Sequence, residues 1–102
     1  MEQATNPDID LLVELLVEGF LVPLRMGDGI KNDLVTQIFT LLDRISLKYL
    51  DQDSIPKSLA ELFIDVYPAM LSSTGLYDSI VENEIIDIAD RLLDKFRNVM
   101  YP

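Results

Sequence analysis

Residues 6–25 read NPDIDLLVELLVEGFLVPLR, and this stretch decides the fold. When it is wound at 3.6 residues per turn, Asp10, Glu14 and Glu18 fall on one narrow stripe. The rest of the circumference is apolar over roughly 240°, whereas a surface helix of a globular protein needs an apolar face of only about 100° or slightly more. We therefore expect a helix that is covered on two sides, either by its own fold or by another chain.

Turn-forming residues mark both ends of this first helix. Asn6 can cap the N-terminus, and Pro7 suits the first helical position. The apolar pattern continues to about Val22, where Pro23 and the glycines beyond it predict the end of the helix and a connection.

Three further segments keep the spacing of apolar residues that is typical of helices. The second helix is predicted to begin between residues 29 and 33 and to end near Leu50. The third begins at residue 56, or at the capping-box pattern that starts at residue 58, and ends in the polar run 72–75. A second capping-box pattern opens the fourth helix, which is predicted over residues 79–100.

The third helix contains Pro68, which has no backbone N–H to donate. We expect this proline to kink or stop the helix near Tyr67. No alternating strand pattern is present, and the connections between the helical segments are short. The sequence thus predicts an all-α single domain over residues 1–102, a compact antiparallel bundle of four helices whose third member can be broken at Pro68.

Composition excludes several classes of function. The chain has no cysteine and no histidine, which removes disulfides, thiolate chemistry and every histidine-based mechanism or metal site. Its net charge of −10 repels nucleic acids and anionic membranes, so we expect neither as a partner. The start, MEQATNPDID, lacks the basic residues of a signal peptide, and acidic residues interrupt the apolar run that follows. We expect a cytoplasmic protein without membrane insertion.

Acidic residues of the fourth helix are the main candidates for metal chemistry. Asp87, Asp90 and Asp94 are spaced three and four apart and could hold Mg²⁺ or Mn²⁺, but they lie opposite the apolar face of the helix, so a solvated helix face is the favoured explanation. Glu84 and Asp87 form an E-x-x-D pair that resembles one in the all-α nucleotide pyrophosphohydrolases of the MazG kind, and this resemblance implies an Mg²⁺-dependent hydrolase. The additional E-x-x-E pair of that family is missing from the preceding helices. We expect no catalytic residue, no cofactor and no metal site, and hence no enzyme.

The surplus apolar surface of the first helix indicates protein interaction. We interpret the chain as a small acidic helical interaction module that binds another protein or, through this helix, a second copy of itself in a homodimer. An acidic inhibitor or immunity-type protein that neutralises a basic target, the hydrolase, and a monomer that encloses its first helix stay open as alternatives. The predicted interface residues lie on the first and third helices: Leu12, Val13, Leu16, Val17, Phe20, Ile64 and Leu71.

Overall fold

A computed structural model describes residues 7–100 of the chain. Four helices account for the regular structure of this part, and the all-α bundle predicted from the sequence is confirmed. They are α1 (residues 7–25), α2 (Asn32–Lys48), α3 (Lys57–Ser72) and α4 (Ser79–Met100), with a short 3₁₀ turn at Thr74–Leu76 before α4. None of these helices combines the length and the apolar character needed to cross a membrane.

The helices follow the spatial order α1, α2, α4, α3 around the core, so that each helix borders two others. Consecutive helices run in opposite directions. Arg44, near the end of α2, pairs with Asp8 in the first turn of α1 at 3.2 Å. By contrast, α2 and α4 run in the same direction, since Lys95 and Asp43, both in the second halves of their helices, are 2.7 Å apart. The bundle therefore consists of two antiparallel hairpins, α1/α2 and α3/α4, packed side by side.

All four helices contribute apolar side chains to one core. At one position in it, the rings of Phe63 on α3 and Phe96 on α4 stack with centroids 4.1 Å apart and an angle of 15° between their planes. The core residues of α1 with no exposed surface are spaced four apart: Leu12, Leu16, Phe20 and Leu24. Because an ideal α-helix places inward residues alternately three and four apart, this spacing indicates a wider helix.

The middle of α1 is indeed a π-helix. Its segment Glu14–Leu21 lies between the α-helical segments Pro7–Val13 and Val22–Arg25, and the Val22 N–H donates to the carbonyl of Val17, five residues back. Pro23 gives a physical reason, because in an α-helix its ring would collide with the carbonyl of the residue four positions earlier, which a wider turn moves away. The prediction that Pro23 ends the helix is wrong, since the helix continues to Arg25.

Pro68, inside α3, behaves differently from Pro23. α3 continues through Pro68 to Ser72, so the predicted stop near Tyr67 is absent and the third helix is not broken. Pro68 is exposed, and the Ile64 carbonyl that loses its usual helical donor lies at an exposed residue, where water can replace that donor. The proline is thus tolerated without a change of helix type.

The cap of α4 also differs from the prediction. The carboxylate of Asp78 accepts a hydrogen bond from the Val81 N–H at 2.9 Å, so Asp78 rather than Ser79 caps the helix. Aspartate is as good a cap as serine, and its negative charge lies at the positive end of the helix dipole.

Tyr77 connects the two hairpins at one end of the bundle. Its hydroxyl donates to the Leu24 carbonyl at 2.7 Å and accepts from the Gly29 N–H at 3.0 Å. Gly29 has a φ of +99°, a left-handed conformation that glycine adopts without strain. The α1–α2 connection is therefore held against the α3–α4 connection by a single side chain.

Candidate functional site

Three of the predicted interface residues lie in the core. Leu12, Leu16 and Phe20 have no exposed surface. Leu16 and Phe20 belong to the π-helical segment, and Leu12 lies in the α-helical turn before it. They present nothing to a partner, which corrects their assignment to an interface. Much of the extra apolar surface of α1 is therefore buried against the other helices of the same chain.

The other predicted residues keep some exposed surface. Val13 and Val17 of α1 and Leu71 of α3 are half-buried and pack against the core. Ile64 differs from all of them, since 70% of its surface is exposed. Among the predicted interface residues, an extensive free apolar surface is thus found on α3 rather than on α1.

Ile64 belongs to an apolar groove between α3 and α4, with a volume of about 310 Å³. We call it the α3/α4 groove, and its lining residues are Ala60, Phe63, Ile64, Tyr67, Pro68, Leu93, Phe96 and Met100. None of these side chains is charged. The stacked pair Phe63 and Phe96 forms its floor, since both rings are buried while Ile64 and Pro68 stand exposed above them.

The groove continues toward the end of the bundle where α4 ends. A second depression of about 230 Å³ shares Ala60 and Met100 with it and is bounded further on by residues 52–55 and Val99. Because the two depressions share these side chains, they form one open trough along α3 and α4. A trough that is open along its length suits an elongated ligand better than a compact one.

Tyr67 forms the polar edge of the groove. Its hydroxyl donates to the carboxylate of Asp90 at 3.1 Å. This hydrogen bond raises the pKa of Tyr67 above its ordinary value of 10.0, and burial and the negative charge of Asp90 act in the same direction. The bond joins α3 to α4 and holds the tyrosine ring along the groove.

Of the predicted interface residues, only Ile64 lines the groove. The groove residues of α4, which are Leu93, Phe96 and Met100, were not predicted as part of an interface. The signal that could have found them is a seven-residue spacing, since Leu93 and Met100 lie one above the other on α4, as Ala60 and Tyr67 do on α3. Two such rows on neighbouring antiparallel helices border one groove.

A polar depression of about 320 Å³ lies on the opposite side of α4, against α2. It contains Glu84 and Asp87, the pair that resembles the hydrolase motif, but Asp87 is engaged by Arg91 at 3.3 Å. The α2 residues that line it offer an amide and a hydroxyl, from Asn32 and Thr36, and no carboxylate. The α2 side of this depression therefore supplies no counterpart of the additional E-x-x-E pair of the hydrolases that Glu84 and Asp87 resemble.

The three aspartates of α4 do not act together. Asp90 accepts the Tyr67 hydroxyl on the α3 side, whereas Asp87 faces the depression beside α2. Across residues 7–100, no group of three or more histidine, cysteine, aspartate or glutamate side chains is placed to hold a metal ion.

Comparison with known proteins finds no match: no protein-family model, no curated protein and no solved structure is significantly similar to this chain.

Proposed function

We propose that this chain is a small helical protein-interaction module and that the α3/α4 groove is its binding surface. The observation that carries the proposal is Ile64, which is 70% exposed in the α3/α4 groove, where every lining side chain is uncharged. Apolar surface of this kind gains about 25 cal/mol for every Å² that a partner removes from water. Contiguous exposed apolar surface with a polar border is typical of protein-binding sites.

The side chains of the groove have the character of interface anchors. Aromatic residues and methionine are enriched at the centres of protein interfaces, and the groove offers Tyr67, Phe63 and Met100. The Asp90 bond holds Tyr67 in place before any partner arrives, which lowers the entropy lost on binding. The floor is rigid because the stacked phenylalanines belong to the core.

The proposal moves the interface from α1 to the α3/α4 side. Three of the residues on which self-association through α1 was based, Leu12, Leu16 and Phe20, are enclosed, and this favours an interface on the α3/α4 side. A homodimer could still form through the groove, but it would bring together two chains that each carry a charge of −10. Another protein is therefore the favoured partner. A cytoplasmic setting is part of the proposal and agrees with a chain that has no cysteine.

The chain offers a matched pair of positions to test this. Ile64 is 70% exposed in the groove and Leu47 is 72% exposed on α2, outside it. We would place the photo-crosslinking residue p-benzoylphenylalanine at either position, irradiate cells that produce the protein, and identify the products by mass spectrometry. The proposal expects one defined protein partner from position 64 and none from position 47.

Two results would contradict the proposal. Equal crosslinking from both positions would show that the groove binds proteins no better than other exposed surface does. The absence of any crosslink from position 64 would leave the groove without a partner. A crosslink to a second copy of the chain would replace the heterologous partner with a homodimer through the same groove.

A further inference from the structure

We infer that the ligand of the α3/α4 groove is an amphipathic helix of another protein that carries basic residues beside its apolar face. This inference rests on the proposed function, since it names the class of partner for the same groove. Three independent features of the described residues lead to it: the nature of the groove walls, the charge of the chain and the backbone at Pro68.

The walls of the groove favour a helical ligand. They belong to the helices Lys57–Ser72 and Ser79–Met100, whose backbone groups bond within each helix, and side chains line the space between them. An extended segment would bring a whole row of N–H and C=O groups against mainly apolar walls, where most of them would lose their hydrogen bonds, which is costly. A helix satisfies those groups internally and needs to offer only an apolar stripe.

The dimensions of the groove agree with this. Its α3 wall extends from Ala60 to Pro68, which corresponds to about 12 Å, a little over two helical turns, at 1.5 Å per residue. Its continuation past Met100 lengthens the trough further. Helical ligands anchor through residues at i, i+3, i+4 and i+7, and this pattern covers the same length.

The sign of the partner's charge follows from the whole chain. Eighteen acidic residues against eight basic ones give a net charge of −10. Asp90 and Asp94 lie on the outward side of Leu93, but Arg97 stands beside them, so the immediate border of the groove is mixed. The electrostatic field of the whole protein therefore determines which charge a partner should carry. This field attracts basic segments and repels acidic ones, including a second copy of this chain.

Pro68 adds an acceptor at the groove. Because proline has no N–H, the Ile64 carbonyl cannot receive the hydrogen bond that residue 68 would otherwise donate to it. Both residues line the groove, and both are exposed. A lysine or arginine beside the apolar stripe of the ligand is long enough to donate to this carbonyl, and both are donors without any acceptor of their own.

The test uses three synthetic peptides of about 14 residues, long enough for about 21 Å of helix. All three have leucine at the same helical positions. The first has lysine elsewhere, the second has glutamate, and the third is the lysine peptide with proline at its centre, which prevents a continuous helix. Binding to the full chain is followed by fluorescence anisotropy, and the site is mapped from ¹⁵N NMR shifts.

We expect the lysine helix to bind at least about tenfold more tightly than the glutamate or the proline peptide. Its affinity should fall as the salt concentration rises from about 0.05 to 0.5 M, because salt screens the attraction. The NMR shifts should map to α3 and α4. Ile64→Gln should weaken binding about tenfold or more and the matched Leu47→Gln variant should not, while neither substitution changes the net charge.

Different outcomes separate this inference from the proposed function. Equal binding of the lysine and glutamate helices at the groove would overturn the basic partner and leave the groove as a helix-binding surface. Equal binding of the proline peptide would overturn the helical ligand. If the lysine helix binds both variants alike, its binding is unspecific attraction and the inference fails, while the crosslinking at position 64 still decides whether the groove binds a protein.

Discussion

Helices α1 and α3 lie side by side in the bundle. Each has a proline beyond its first turn, Pro23 in α1 and Pro68 in α3, and more apolar residues than one buried face requires. The fold treats them in opposite ways. α1 widens into a π-helix before Pro23 and directs its large side chains into the core, whereas α3 stays α-helical through Pro68 and leaves Ile64 in water. The most exposed large apolar side chain of the two helices is therefore Ile64 of α3, since Leu11 and Val22 of α1 are 40% and 44% exposed.

The difference teaches that the apolar content of a helix does not measure its exposure. Burial depends on where the neighbouring helices stand and on how the helix turns. Ile64, the most exposed large apolar residue of α3, lines the groove beside α4. Four experiments test this contrast, beginning with the largest expected effect.

Truncation of one large apolar residue on each helix should separate core from groove. Phe20 has no exposed surface, and Phe20→Ala should lower the free energy of unfolding by about 3–5 kcal/mol. Ile64 is 70% exposed, so Ile64→Ala should change that free energy by about 0.5 kcal/mol or less. Denaturant unfolding followed by circular dichroism measures both. A loss of about 2 kcal/mol or more for Ile64→Ala would show that Ile64 is buried in the folded chain, and the contrast between a buried Phe20 and an exposed Ile64 would be wrong.

The bond that holds α1 to the other hairpin should have an intermediate effect. Tyr77→Phe removes the acceptor of the Gly29 N–H and the donor to the Leu24 carbonyl, both partly buried, and should cost about 1–2 kcal/mol of unfolding free energy. Tyr67→Phe is the control, since it removes one exposed bond between Tyr67 of α3 and Asp90 of α4 and should lower the free energy of unfolding less than Tyr77→Phe does. Equal losses in the same denaturation measurement would mean that Tyr77 does not connect the hairpins.

Gly19 tests how closely the π-helical part of α1 approaches α2. A Cβ atom at this position would lie 2.8 Å from Cδ1 of Leu34, so the leucine would have to move. Against this, alanine loses less backbone entropy than glycine in a helix, by about 0.5–1 kcal/mol. The change in the free energy of unfolding caused by Gly19→Ala should therefore be more favourable by about 1 kcal/mol in a Leu34→Ala background than in the original chain. A double-mutant cycle measures this difference. Additive effects would show that the two helices are further apart than described.

The smallest effect concerns the edge of the α3/α4 groove. The hydrogen bond to Asp90 raises the pKa of Tyr67 above 10.0, so Asp90→Asn should lower that pKa toward the ordinary value. Because the folded pKa lies above the unfolded one, the bond stabilises the fold below about pH 10 and loses this effect as the pH rises through the folded pKa. The difference between the tyrosinate absorbance titrations of the two proteins isolates Tyr67. Superimposable titrations would mean that the bond does not persist in solution.

The sequence predicted the four helices and their alternating directions because the apolar spacing and the short connections are local signals. It did not predict the π-helix, since Leu12, Leu16 and Phe20 were projected onto a helix of 3.6 residues per turn, and a change of turn width depends on contacts between helices. The groove was found only in part, through Ile64, because its other wall comes from α4. Which helix borders which is set by packing between distant residues, and no local pattern encodes it.

The bridge made by Tyr77 has a consequence for observing the motions of this protein. The Gly29 amide proton, in the α1–α2 connection, is bonded to a side chain of the other hairpin. Its exchange with solvent deuterium therefore requires this contact between the hairpins to open, whereas amides inside the helices exchange only when a helix itself opens. A single resonance in a hydrogen-exchange spectrum would then report how often the two halves of the bundle part while each remains folded.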